Sequence, residues 1–147
     1  MQGARFAVLA LVLAGCSGGT KAPEVVAAEG IATLNGQPLP NAQISFTPTA
    51  AGVGGQFVAT GVTDEQGKYK LTCNGKPGAA VGENIVTVAE GPLPDELRDE
   101  NAQAKAGTFA AKLKNRPIPT EYGVAATSKL KVTVAAGKTD YPLELKR

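Results

Sequence analysis

The residues best placed to do chemistry stand near the N-terminus, where Leu13-Ala14-Gly15-Cys16 closes a short apolar run. A cysteine thiolate is a strong nucleophile, and the two small residues before it leave the backbone open to a processing enzyme. Arg5 supplies a minimal positive flank, Phe6 to Ala14 is unbroken apolar sequence, and Ala14 and Gly15 suit a signal peptidase cutting just before Cys16. The run is too short to cross a bilayer, which takes about 20 apolar residues. Position, flanks and cleavage residues together read as an export signal over residues 1–15.

Elsewhere the chain is poor in the usual catalytic groups. It has no histidine and no tryptophan. Without histidine there is no Ser-His-Asp or Cys-His machinery, and the commonest metal ligand is missing. No cofactor is expected. A hydrolase working through a carboxylate pair would need two convergent, pocketed acids with raised pKa. Asp95, Glu96, Asp99 and Glu100 are the densest acidic group, but they fit no metal-loop spacing and read as a solvated helix start. Gly52-Val53-Gly54-Gly55 lacks the Lys-Ser/Thr of a phosphate cradle and reads as a hairpin loop. Lys112, Lys114 and Arg116 alternate as on a solvated strand face, with anionic lipid or cell-wall polymer as the other partner they could meet. Tyr122 and Tyr141 could stack sugars, but in a chain with so few aromatics they are expected in the core. A net charge of +2 from 15 basic and 13 acidic residues gives no reason to expect nucleic acid.

Leu13-Ala14-Gly15-Cys16 resembles the lipobox of bacterial lipoproteins at all its positions. The resemblance implies that Cys16 becomes the first residue of the mature chain and carries a thioether-linked diacylglyceryl group. Each buried methylene contributes about 0.8 kcal/mol, and two or more chains give stable anchoring without a spanning helix. Membrane lipid is then the first partner, with an envelope protein or polysaccharide as the second. Ser17 is not an aspartate, which by analogy with lipoprotein sorting in some diderm bacteria favours the outer membrane. The remaining cysteine, Cys73, lies on the Tyr69 and Leu71 face of an alternating segment and is expected as a buried small hydrophobe.

The elements that must carry these residues are short and β-rich. Residues 16–28, with Gly18-Gly19 and Pro23, have no core-building period and read as a flexible tether. Residues 29–147 read as one domain, an all-β sandwich of about seven strands with one short helix or mobile loop inserted. Glu29 to Leu34 is the first strand. Asn35-Gly36 supplies the positive-φ pair of a type I′ turn, and Pro38 and Pro40 delay the return until Ala42 to Thr47. Ile44 and Phe46 are expected inward. Gln56 to Thr63 and Gly67 to Cys73 read as a hairpin closed by Asp64, which can cap its own turn, and by Gly67 at positive φ. Lys76-Pro77-Gly78 reads as a further turn before the strand Asn84 to Ala89. Leu130, Val132, Val134 and then Tyr141, Leu143, Leu145 alternate as a C-terminal hairpin with one wet face. Asp95 to Ala106 has the charge order of a short helix, with Gly107 as its stop.

The runs Gly30 to Ala42, Ile44-Ser45-Phe46 and Thr63-Asp64-Glu65-Gln66-Gly67-Lys68-Tyr69-Lys70-Leu71 are similar to the carboxypeptidase regulatory-domain-like family. That resemblance implies a transthyretin-like, prealbumin-type (Ig-like) sandwich. Ile118-Pro119-Thr120-Glu121-Tyr122 and Ser128 to Leu145 resemble a subgroup of bacterial lipoproteins built from this one domain. It implies no carboxypeptidase activity, because the catalytic zinc domain is missing. Nor does it imply hydroxyisourate hydrolysis, because the histidines and the C-terminal Tyr-Arg-Gly-Ser are missing. The implied function is a non-catalytic envelope module, with carbohydrate binding as its alternative.

Overall fold

The computed structural model describes residues 21–147, so Leu13, Ala14, Gly15 and Cys16 lie outside the described residues. The described chain is mostly β, in three sheets with one short helix. Its strands are β1 (Val25–Val26), β2 (Glu29–Leu34), β3 (Gln37–Pro38), β4 (Ala42–Pro48), β5 (Ala59–Val62), β6 (Lys68–Lys70), β7 (Thr72–Cys73), β8 (Lys76–Pro77), β9 (Ala79–Ala80), β10 (Gly82–Glu90), β11 (Lys131–Val134) and β12 (Leu143–Leu145). The helix α1 is Gln103–Lys112. The strands outnumber the seven expected because turns and sheet changes cut several into two-residue pieces.

One sheet has the order β11-β10-β4-β5-β7-β8. Its spine is the antiparallel ladder of β10 on β4, from Asn84 opposite Pro48 to Glu90 opposite Ala42. A second sheet has the order β12-β2-β3, and β6 also pairs with β2. The inner faces of both sheets meet in one core. Ile44, Phe46, Val86 and Val88 come from the first sheet, and Leu34, Tyr69, Leu143 and Leu145 come from the second. Period-2 alternation places these side chains, since every second residue of a strand points to the same face. On β4, Ala42, Ile44 and Phe46 are buried while Gln43 is exposed, in agreement with the sequence.

The local turns also follow the sequence. Asn35 and Gly36 have φ of 53° and 78°. Asp64 accepts from the amides of Gln66 and Lys68, both at 2.9 Å, and Gly67 sits at φ 75°. A Cβ at Gly67 would come within 2.5 Å of the Ala32 carbonyl oxygen, so the site needs glycine twice over.

Five expectations are corrected. The two C-terminal strands form no hairpin: β11 pairs antiparallel with β10, whereas β12 pairs in parallel with β2. The chain is drawn across by Glu29, whose amide donates to the Thr139 carbonyl and whose carbonyl accepts from Tyr141. The hairpin around Asp64 is split, because Lys68–Lys70 joins β2 in the second sheet and only Thr72–Cys73 pairs with β5. The turn before β8 is Asn74-Gly75, at φ of 50° and 75°, while Lys76–Pro77 is itself a strand. The helix lies further along than Asp95 to Ala106. Asp95–Leu97 and Glu100–Ala102 are single 3-10 turns, and α1 runs through Gly107 to Lys112. Alanines on both sides of Gly107 offset its cost of about 1 kcal/mol against alanine. Finally, Val25–Val26 pairs with Ala79–Ala80 and Ala28 is buried, so ordered sandwich begins inside the stretch read as tether.

Candidate functional site

β10 gives the molecule an axis of about 30 Å, at roughly 3.3 Å per residue. At its Gly82 end the chain enters: Val81 donates to the Glu24 carbonyl, and β1 leads upward from there. Beside it lie the 49–55 loop, reached through the Thr49 amide bond to Glu83, and the 135–138 loop that follows Val134 opposite Gly82.

At the Glu90 end sits the 91–127 segment. Arg116 holds it down. Its Nε is 2.7 Å from a Glu90 carboxylate oxygen, its Nη2 donates to the Pro40 and Asn41 carbonyls, and its Nη1 donates to the Lys114 carbonyl. The Arg116 side chain is 15% exposed, so this ion pair is better shielded than the Lys70–Glu29 and Lys131–Glu83 pairs, both at 3.7 Å in open solvent. Next to it Asn115, at φ 61°, donates from Nδ2 to the Leu34 and Gln37 carbonyls, both at 3.0 Å. Its Oδ1 accepts from Arg147. Lys112 ends α1 and Lys114 is exposed. The expected basic alternation is therefore divided between a helix end, an exposed loop and a fastened guanidinium.

An open groove of about 650 Å³ runs along the flank where β6 passes β5. Ile31 and Val62 line it at 41% and 43% exposure. Glu29, Asp64, Lys68, Lys70 and Asp140 bring charge to it. Glu29 is paired with Lys70, and Asp64 is engaged by its own turn. Glu29, Asp64 and Asp140 are all solvent-exposed, so they do not form the enclosed carboxylate pair that a hydrolase of the carboxylate-pair kind uses. Asp95 pairs with Arg98 at 2.8 Å in the exposed insertion. Among the described residues, no three acidic or cysteine side chains gather as a metal site.

The tyrosines are core residues, as the composition suggested. Tyr141 is buried, with its hydroxyl accepting the Ala135 amide at 3.0 Å and donating to the Lys138 carbonyl. The Tyr122 hydroxyl accepts the Lys146 amide at 3.1 Å and donates to the same residue's carbonyl at 3.0 Å. Tyr69 donates to the Tyr141 carbonyl, and desolvation raises its pKa well above the ordinary phenol value. Cys73 is a buried free thiol whose pKa is pushed up by burial. The Gly52–Gly55 stretch leads only into a one-turn 3-10 helix, Gly55–Phe57, which makes no phosphate cradle. Asn84 carries a signal the sequence did not offer: it is fully buried, its Nδ2 donates to the Ala80 and Gly82 carbonyls, and its Oδ1 has no partner.

Comparison with known proteins returned no match to any family model, curated protein or solved structure.

Proposed function

We propose that the chain is a lipid-anchored, non-catalytic module of a bacterial cell envelope, with a binding or structural role, built on a transthyretin-like sandwich of the carboxypeptidase regulatory-like kind. The observation that carries the reading is Leu13-Ala14-Gly15-Cys16 at the end of the Phe6 to Ala14 apolar run. The fold is compatible with it in one respect. The sandwich's first described strand is β1, and the residues 16–24 before it can separate the thiol from that strand by at most about 30 Å. No helix among the described residues is long and apolar enough to cross a membrane, and an acyl anchor requires none.

The sugar-binding alternative draws no support from the aromatic residues. Tyr69, Tyr122, Tyr141 and Phe46 are buried, and Phe57 and Phe109 are half-buried, so no stacking platform is presented among the described residues.

The test is intact-mass analysis of the protein from a native-type membrane fraction beside a Cys16→Ser control. The expected result is a mature chain that begins at residue 16 and carries diacylglyceryl and acyl mass, both absent from the control. An unmodified chain in the soluble fraction would overturn the anchor.

A further inference from the structure

The two larger sheets run out at β8, β11, β3 and β12, and three of these four strands are closed by the same device. On β8, the Gly78 amide donates to the Leu71 carbonyl, so by alternation the backbone of residue 77 faces away from β7, and residue 77 is proline. On β3, the Leu39 amide donates to the Ala32 carbonyl, which turns residue 38 outward, and it too is proline. Asn115 further occupies the Gln37 and Pro38 carbonyls. On β12, the Tyr141 amide bonds to the Glu29 carbonyl and the Asn35 amide to the Leu145 carbonyl. Residues 142, 144 and 146 therefore face outward. Residue 142 is again proline, and Tyr122 takes both backbone groups of Lys146. A proline in an outward position removes the donor that a further strand would need.

β11 has no such closure. Val86 donates to the Leu130 carbonyl, and Val132 and Val134 stand opposite Asn84 and Gly82, so the backbone of Lys129, Lys131 and Thr133 is directed away from the sheet. All three residues are exposed and carry amide hydrogens. Nothing among the described residues covers them. An uncovered edge of this kind is a template for strand addition.

We propose that β11 is a docking edge for an extended segment of a partner protein whose side chains alternate carboxylate and apolar. Charge selects the acidic face: Lys129, Lys131 and Thr133 share the solvent side of the strand, Lys129 forms no ion pair among the described residues, and Lys131 is 3.7 Å from Glu83. The other face is set by Leu130 and Val132, which are half-buried at the rim of the core and leave apolar surface for alternate residues of an added strand. A second copy of the chain is disfavoured, because pairing β11 with itself gathers the lysines of both copies on one face, and like charges on facing strands are destabilising. This docking does not depend on acylation of Cys16.

The test uses the full chain in detergent, isotopically labelled, titrated with a synthetic peptide of alternating glutamate and valine and with a lysine and valine counterpart. The expected result is slowed hydrogen exchange at the Lys131 and Thr133 amides with the glutamate peptide, and at least tenfold weaker binding of the lysine peptide. Thr133→Pro removes an outward donor and Lys131→Glu reverses the charge, and each is expected to weaken the glutamate peptide at least tenfold while the remaining amide spectrum stays folded. Unchanged exchange at both amides, or variants that bind the glutamate peptide as tightly as the parent chain, would overturn the docking edge. Self-association protecting the same amides without peptide would overturn the choice of partner.

Discussion

Tyr69 has its ring against Phe46, with centroids 6.3 Å apart, and its hydroxyl on the Tyr141 carbonyl. Burial favours the neutral phenol, so its pKa in the fold lies above that in the unfolded chain, and the Asp140 charge and Tyr141 add to the shift. A group raised in this way supports the fold fully below its unfolded pKa of about 10, and that support is lost as pH rises beyond it. Thermal melts between pH 8 and 12 are expected to show falling stability above about pH 10. Tyr69→Phe should flatten that fall while costing about 1 kcal/mol at neutral pH through the lost hydrogen bond. Cys73, also raised by burial, contributes in a neighbouring range, and Cys73→Ala separates the two. Gly67→Ala places a methyl against the Ala32 carbonyl at positive φ and is expected to lower stability by about 1–3 kcal/mol in a denaturant titration. At this scale much was legible. Asn35-Gly36, Asp64 and the positive φ of Gly67 belong to turns closed within a few positions, so the local sequence reveals them, whereas the approach of Gly67 to the Ala32 carbonyl is known only from the fold. Arg116 was not legible as a fastener, because its partners Glu90 and Pro40 are far off in sequence and only the fold brings them to it.

Alternation tells which face of a strand is buried, and it does so correctly for β4, for Tyr69, Leu71 and Cys73, and for β12. It does not name the neighbouring strand. A hairpin and a crossing between sheets bury the same side chains, which is why the last two strands read as partners and lie in different sheets. The segment Lys68 to Cys73 shows the same ambiguity within one run, since it changes sheets at Leu71, whose amide turns to the Ala28 carbonyl. The helix shows a different limit: α1 buries no residue, so no apolar stripe marks its span. A helix with no buried residue should open readily. Hydrogen exchange is expected to be fast across Gln103–Lys112 and slow across β4 and β10, with Arg116→Ala speeding the 91–117 amides and leaving the β4 and β10 amides unchanged.

At the scale of the whole molecule, Glu24 meets the Gly82 end of β10 and the insertion is fastened at the Glu90 end, so the start of the sandwich and the 91–127 segment lie at opposite ends of that strand. Leu13-Ala14-Gly15-Cys16, the most informative stretch of the sequence, says nothing of this arrangement, which depends on how β1 meets β9. The parallel ladder of β12 on β2 has a consequence for how the protein comes into being. Leu143, Glu144 and Leu145 lie against Ala32, Thr33 and Leu34, so the second sheet lacks its edge and the core lacks two leucines until nearly the whole chain has been synthesised. Pairings this distant in sequence form late, after the cost of closing a long loop has been met. A chain truncated after Thr139 is expected to give no cooperative melt and no slowly exchanging amides in β2. A nascent polypeptide that must wait for β12 stays pliable, with no finished sandwich to resist being drawn out, until that strand has been made.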